Sequence, residues 1–218
     1  MRPLLVACTL ATTPLAGHAS PRTAHALPID VGQWRVVDRE SGPDNYYAVV
    51  RDAALPFVHA RYRPPEATTV LGFQVPDELR PKVRVVRWKW RAVTLPRGGN
   101  ECDSHKADSA AVVYLTYKRM LRWYTLKYVW SAVGPRGATC DRKRTPFSAQ
   151  DTIILESGEP LNEWKDEEVD LAAEYRNHFA DGKADADVPD FVGIGIMSDG
   201  DQTGSESSAD YAAFAIDW

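Results

Sequence analysis

The chain has 218 residues, with 26 Lys and Arg against 30 Asp and Glu and a formal net charge of −4. That length suits one sizeable domain and is short for two. The acidic balance, spread along the chain, argues against nucleic acid as the main partner.

The N-terminus, MRPLLVACTLATTPLAGHAS, starts with Arg2 and runs through apolar and small residues to Gly17-His18-Ala19. This predicts a secretory signal over 1–19, cleaved after Ala19, with a second acceptable site after Ala26 and a mature domain over 27–218. The apolar stretch is too short, and too broken by Thr and Pro, to span a bilayer. Leu5-Val6-Ala7-Cys8 looks like a lipoprotein box, but too few apolar residues precede Cys8. The expectation is export to the periplasm or beyond, without a lipid anchor. No later run is apolar and long enough for a transmembrane span.

After the signal, short β-rich runs alternate with Pro, Gly and Asp turns. QWRVVD, NYYAVVRD, FVHARYR, TTVLGFQV and KVRVVRWKWRAV are followed by the longer SAAVVYLTYK and RWYTLKYVWSAV, then DTIILES, FVGIGIMS and DYAAFAIDW. Many short strands with little helix predict a mainly β chain, an antiparallel β-sandwich or jelly roll. One segment differs. In DLAAEYRNHFADG, Leu171, Tyr175 and Phe179 recur at helical spacing, with Asp170 as N-cap and Gly182 as terminator. SAAVVYLTYK and RWYTLKYVWSAV are joined through Arg119-Met120-Leu121 and predict a hairpin. Cys102 and Cys140 both fall near its open end. In an oxidising compartment they predict a disulfide closing a loop of about 38 residues, worth roughly 4 kcal/mol.

RWKWRAVTLP, DSAAVVYLTY, LKYVWS and above all GIGIMSDGDQTGSESSADYAAFAI resemble the bacterial family catalogued as domain of unknown function 3047. The resemblance runs from about Trp34 to the C-terminus and implies an exported β-sandwich of jelly-roll type, similar to carbohydrate-binding modules. It implies no activity.

In RVVRWKWRAV, period two puts Trp88 and Trp90 on one strand face and Arg87, Lys89 and Arg91 on the other. A buried indole removes on the order of 200 Å² from water, roughly 5 kcal/mol as an upper figure. Two such rings left in solvent would cost too much, so Trp88 and Trp90 are expected in the core, packed over the bare backbone of Gly193 and Gly195. The cations are expected beside the acidic strand WKDEEVD; if that strand lies elsewhere, they become a site for acidic glycans. On the hairpin, Tyr124, Tyr128 and Trp130 share one face and Trp123 takes the other, while Tyr114 and Tyr117 fall on opposite faces. With one face core, Tyr114 or Trp123 is a candidate ring for stacking on sugars.

Asp199-Gly200-Asp201-Gln202-Thr203-Gly204 places oxygen ligands at positions 1, 3 and 5 before a glycine turn, with Asp210 at position 12. That spacing fits either a Ca²⁺ loop with Asp199, Asp201, Thr203 and Asp210 as ligands, or a polar turn capped by its own carboxylates. Nucleophile elbow, zinc and phosphate-loop motifs are missing from the sequence. His59, His105 and His178 are isolated in sequence, and Asp166, Glu167 and Glu168 read more simply as a solvated strand face than as a glycosidase pair. The sequence therefore predicts a non-catalytic binder of carbohydrate or envelope glycan. The alternatives are a glycan hydrolase or lyase, or a purely structural envelope protein.

Overall fold

The computed structural model describes residues 25–36 and 46–218. The expected signal over 1–19 lies outside them. In chain order the strands are β1 (Ala26–Pro28), β2 (Arg35–Val36), β3 (Tyr47–Val50), β4 (Phe57–Tyr62), β5 (Leu71–Gln74), β6 (Val85–Thr94) and β7 (Ser109–Arg119). They continue as β8 (Arg122–Ser131), β9 (Thr139–Arg144), β10 (Ser148–Ser157) and β11 (Lys165–Asp170), then helix α1 (Leu171–Phe179), β12 (Asp190–Met197) and β13 (Ser207–Asp217).

Two sheets face each other as a jelly-roll-type β-sandwich. One has six strands in the order β11-β6-β13-β4-β3 with β1 added on β13, and the other has seven in the order β2-β5-β12-β7-β8-β10-β9. Nearly all pairs are antiparallel, but β10 runs parallel to β8. The cause is β9, a strand of Thr-Cys-Asp-Arg-Lys-Arg that shows no apolar alternation and forms the far edge by pairing with β10. Cys140 on β9 is bridged to Cys102 in the loop before β7, as expected, with Cα atoms 4.6 Å apart.

The core is the aromatic filling between the sheets. Trp88 and Trp90 are almost wholly buried. Their rings meet edge to face at 5.8 Å and reach across to Tyr128 at 6.1 Å and Trp130 at 6.0 Å, with Phe214 stacked on Trp88 at 6.2 Å. Gly193 and Gly195 play no part in this packing, contrary to expectation. Their neighbours Ile194 and Ile196 pair in register with Leu115 and Val113 of the core face, so the glycines face outward. Helix α1 begins as predicted, Asp170 accepting from the backbone N–H groups of Ala172 and Ala173 at 2.9 Å. Tyr175 packs on Tyr117 and Tyr124, and Tyr117 donates to the Leu171 carbonyl at 2.9 Å. The helix thus covers the end of the seven-stranded sheet that the six-stranded one does not reach.

One carboxylate stands at this core's edge. The indole N–H of Trp90 donates to Glu167 of β11 at 3.0 Å. Burial pushes the Glu167 carboxyl up to about 7; the Trp90 hydrogen bond and Arg136 oppose the rise, and Glu156 adds to it.

Trp88→Ala and Trp90→Ala are each expected to cost about 3–5 kcal/mol in denaturant unfolding or to prevent folding, as large core truncations do. A carboxyl whose folded pKa is raised stabilises the fold fully below its unfolded pKa and loses that contribution as pH climbs through the folded one. Melting temperature should therefore fall between roughly pH 5 and pH 8, and Glu167→Gln should make that fall shallower.

Candidate functional site

Sheet register explains a groove on the outer face of the seven-stranded sheet. Gly195 of β12 is paired with Gly72 of β5 on one side and Tyr114 of β7 on the other, and Gly193 is paired with Gln74. Gly72, Gly193 and Gly195 face outward with no side chain, so adjacent strands leave a bare strip of backbone. Side chains from the flanking strands stand up around it and enclose about 640 Å³. The Tyr114 ring leans over Gly195, where a Cβ would lie 3.3 Å from its Cδ2 and 2.8 Å from Val70 Cγ1. Trp123 of β8 is 43% exposed at one end of the groove, with the Lys118 ammonium 4.4 Å from its ring centroid. Arg35 of β2, Gln74 and Gln150 add polar and charged groups to the lining. A trough of this size with a few convergent polar groups is the ordinary form of a small-ligand site. Both predicted stacking rings, Tyr114 and Trp123, therefore belong to one groove.

The basic stripe is not part of it. Arg87, Lys89 and Arg91 lie on the outer face of the six-stranded sheet, on the opposite side of the molecule, and each is paired. Arg87 contacts Asp217 at 2.7 Å, Lys89 contacts Asp166 of β11, and Arg91 contacts Asp210 at 2.7 Å. The acidic strand WKDEEVD does lie beside β6, as expected, but supplies only one of the three partners. The other two come from β13. The condition under which these cations were expected to form a site for acidic glycans, an acidic strand lying elsewhere, is not met, and each is paired with a carboxylate.

The Asp199–Gly204 loop also differs from expectation. Asp210 lies in β13 on the outer face of the six-stranded sheet, accepting from Arg91 and contacting His59 Nδ1 at 2.6 Å, so it is not a ligand of this loop. Asp108, just before β7, takes the central place instead. Its carboxylate accepts from the Gln202 N–H at 3.2 Å, the Thr203 N–H at 2.7 Å and the Thr203 hydroxyl at 2.6 Å. Thr203 Oγ1 also lies 2.7 Å from Ser205 Oγ, so this hydroxyl is committed within the loop. One carboxylate oxygen from each of Asp108, Asp199 and Asp201 lies within 4.8 Å of the others. Burial above all, then Asp201, pushes Asp199 up to about 7; Asp108 adds to the rise and Lys127 opposes it. Nearby, Lys127 and Glu101 form a buried pair at 2.9 Å, and Ser109 donates to the same carboxylate. Of the four residues expected to hold Ca²⁺, Asp199 and Asp201 are together, Thr203 is engaged with Asp108, and Asp210 is elsewhere.

The family described as Protein of unknown function (DUF3047) matches residues 32–215. The chain belongs to this family. Among solved structures, it is similar to the xyloglucanase domain of NopAA, a type three effector from Sinorhizobium fredii solved with cellobiose. That match has 11% identity, a TM-score of 0.45, and covers 92% of this chain and 99% of that one. It is also similar to Trichoderma harzianum endoglucanase 3 from family GH12, at 11% identity and a TM-score of 0.44, over 92% and 100% of the two chains. No curated protein matches the sequence.

In this DUF3047 chain the groove-forming residues that sequence reasoning missed are Gly72, Arg35, Gln74 and Gln150. The signal was present: Gly193-x-Gly195 keeps one strand face bare, but strand order is needed to know which face that is. Asp108 was missed because its partners lie some 94 residues downstream.

Asp108→Ala would leave two backbone N–H groups and a hydroxyl without their acceptor. It is expected to cost about 3 kcal/mol in denaturant unfolding. Asp199→Asn removes a buried, repelled charge and is expected to cost less than half as much at pH 8.

Proposed function

We propose that this chain is an exported, non-catalytic binding protein for carbohydrate or cell-envelope glycan, and that the groove over the seven-stranded sheet is its binding site. The observation that carries the reading is the glycine-floored trough with Tyr114 leaning over the floor and Trp123 exposed at its end. Flat apolar rings beside hydrogen-bonding amides and hydroxyls suit pyranose faces and their hydroxyl edges.

Charge narrows the ligand. Arg35, Arg80 and Lys118 are in the lining, and no Asp or Glu is among the described residues there. Arg80 is paired with Asp77 at 2.6 Å, whereas Arg35 and Lys118 make no ion pair among the described residues. This favours a glycan bearing carboxylate, phosphate or sulfate groups. Hydrolysis with two carboxylates needs an acid and a second carboxylate flanking the bond, and the described lining offers neither. For export, β1 uses Ala26, paired with Asp217. Cleavage after Ala19 keeps that strand whole, and cleavage after Ala26 would cut it.

The test is a screen of the mature protein against acidic and neutral polysaccharides by affinity electrophoresis and calorimetry. Binding to an acidic glycan is expected, with Trp123→Ala weakening it at least tenfold at unchanged melting temperature. Shortened chains, or a product absorbing in the ultraviolet from a new double bond, would replace this reading with a hydrolase or lyase. Failure to bind any glycan would leave the structural role.

A further inference from the structure

Hairpin turns in water normally carry Gly, Asn or Asp, which tolerate positive φ and hydrate well. The turn between β7 and β8 carries Met120-Leu121 instead. Met120 has φ +52°, and the two side chains are 88% and 76% exposed. A bulky apolar residue in the left-handed region of an exposed turn breaks two local rules at once, and such breaks concentrate at functional positions.

A second turn stands beside it. Because β10 runs parallel to β8, with Ser148 in register with Trp123, the turn before β10 lies at the same end of the sheet as the turn before β8. It presents Phe147, 64% exposed. Both turns are held firmly. The Trp123 N–H donates to the Phe147 carbonyl at 2.9 Å, and Thr145 Oγ1 accepts from the Phe147 and Ser148 N–H groups. With Trp123 itself, this end carries four of the six large apolar side chains that stand exposed among the described residues.

Charge completes the surface. Residues 118–124 and 142–149 contain Lys118, Arg119, Arg122, Arg142, Lys143 and Arg144, and no Asp or Glu. Arg144 is paired with Asp151 at 2.6 Å, Lys143 with Asp141 at 3.2 Å, and Arg142 lies 3.8 Å from Asp151. Lys118, Arg119 and Arg122 have no ion pair among the described residues; Arg119 donates to the Asp187 carbonyl at 2.8 Å. Asp190, in register with Lys118, stands at the flank.

We propose that these two turns dock the protein on an anionic phospholipid bilayer. Met120, Leu121 and Phe147 would enter the boundary between headgroups and acyl chains. Trp123 would lie at the interface, and Lys118, Arg119 and Arg122, which have no ion pair among the described residues, would contact lipid phosphates. Protruding apolar tips ringed by Lys and Arg match a surface that is apolar at depth and negative at its rim. A basic residue near an anionic leaflet strengthens binding about fivefold. The apolar tips are separate from the glycan groove, since Met120, Leu121 and Phe147 do not line it, whereas Trp123 and Lys118 border both surfaces.

The experiment is flotation of the mature protein with vesicles of phosphatidylcholine alone or containing about 30% phosphatidylglycerol, at low and physiological salt. Wild type is expected to float with the anionic vesicles only, and less at higher salt. Met120→Ser/Leu121→Ser/Phe147→Ser should lose at least tenfold in lipid affinity while keeping its circular dichroism and any glycan binding. Arg119→Glu/Arg122→Glu should also lose binding. Absence of flotation with anionic vesicles at low salt overturns the proposal, as does equal flotation by the triple variant. A concentration-dependent dimer in lipid-free buffer that the triple variant abolishes would assign the patch to a second copy and overturn it too.

Discussion

The edge-to-face contact of Trp88 with Trp90 is the packing constraint on which both sheets depend. Two indoles on alternate positions of one strand form a ridge too bulky for a flat partner. The facing strands answer with Tyr128 and Trp130, and Phe214 fills the space beside Trp88. Such large, rigid side chains allow few relative positions for the sheets, because a void on either side forfeits contacts that nothing else supplies. Helix α1 belongs to the same solution, closing with Tyr175 the stretch of aromatic face that the second sheet leaves uncovered.

With the inner faces committed to packing, the outer faces take different roles. On the six-stranded sheet, Arg87, Lys89 and Arg91 meet carboxylates from β11 and β13; Asp210 and Asp217 are buried, and only the exposed Lys89–Asp166 pair is of the modest surface kind. On the seven-stranded sheet, three outward glycines withhold side chains at adjacent positions, and the result is a trough rather than a flat polar surface. The two faces differ because of where cations find partners and where bulk is missing.

The ends of the sandwich are specialised too. At one end the Cys102–Cys140 bridge, the buried Lys127–Glu101 pair and the Asp108 fastener gather long loops against the β7–β8 open end. At the other, the parallel β8–β10 pairing brings two turns together, with apolar tips and a basic surround. Trp123 lies where that end meets the groove, so one ring borders both surfaces.

The sequence by itself determined the strand-rich class, a short helix between its Asp170 cap and Gly182, the burial of Trp88 and Trp90, and the outward faces of Tyr114 and Trp123. These follow from local periodicity, which the backbone imposes on any strand or helix. It also singled out the Cys102–Cys140 pairing, since the two thiols fall near the open end of one hairpin. Only the tertiary structure decided what depends on which strands become neighbours. Strand order turned Gly193 and Gly195 into the floor of a groove with Gly72 rather than a bed for tryptophans, gave Arg91 the carboxylate of Asp210, and brought Asp108 to a loop far along the chain. Period two says that a side chain points up or down, and says nothing of what lies beside it. Those neighbours come from distant parts of the chain, through packing of the whole core.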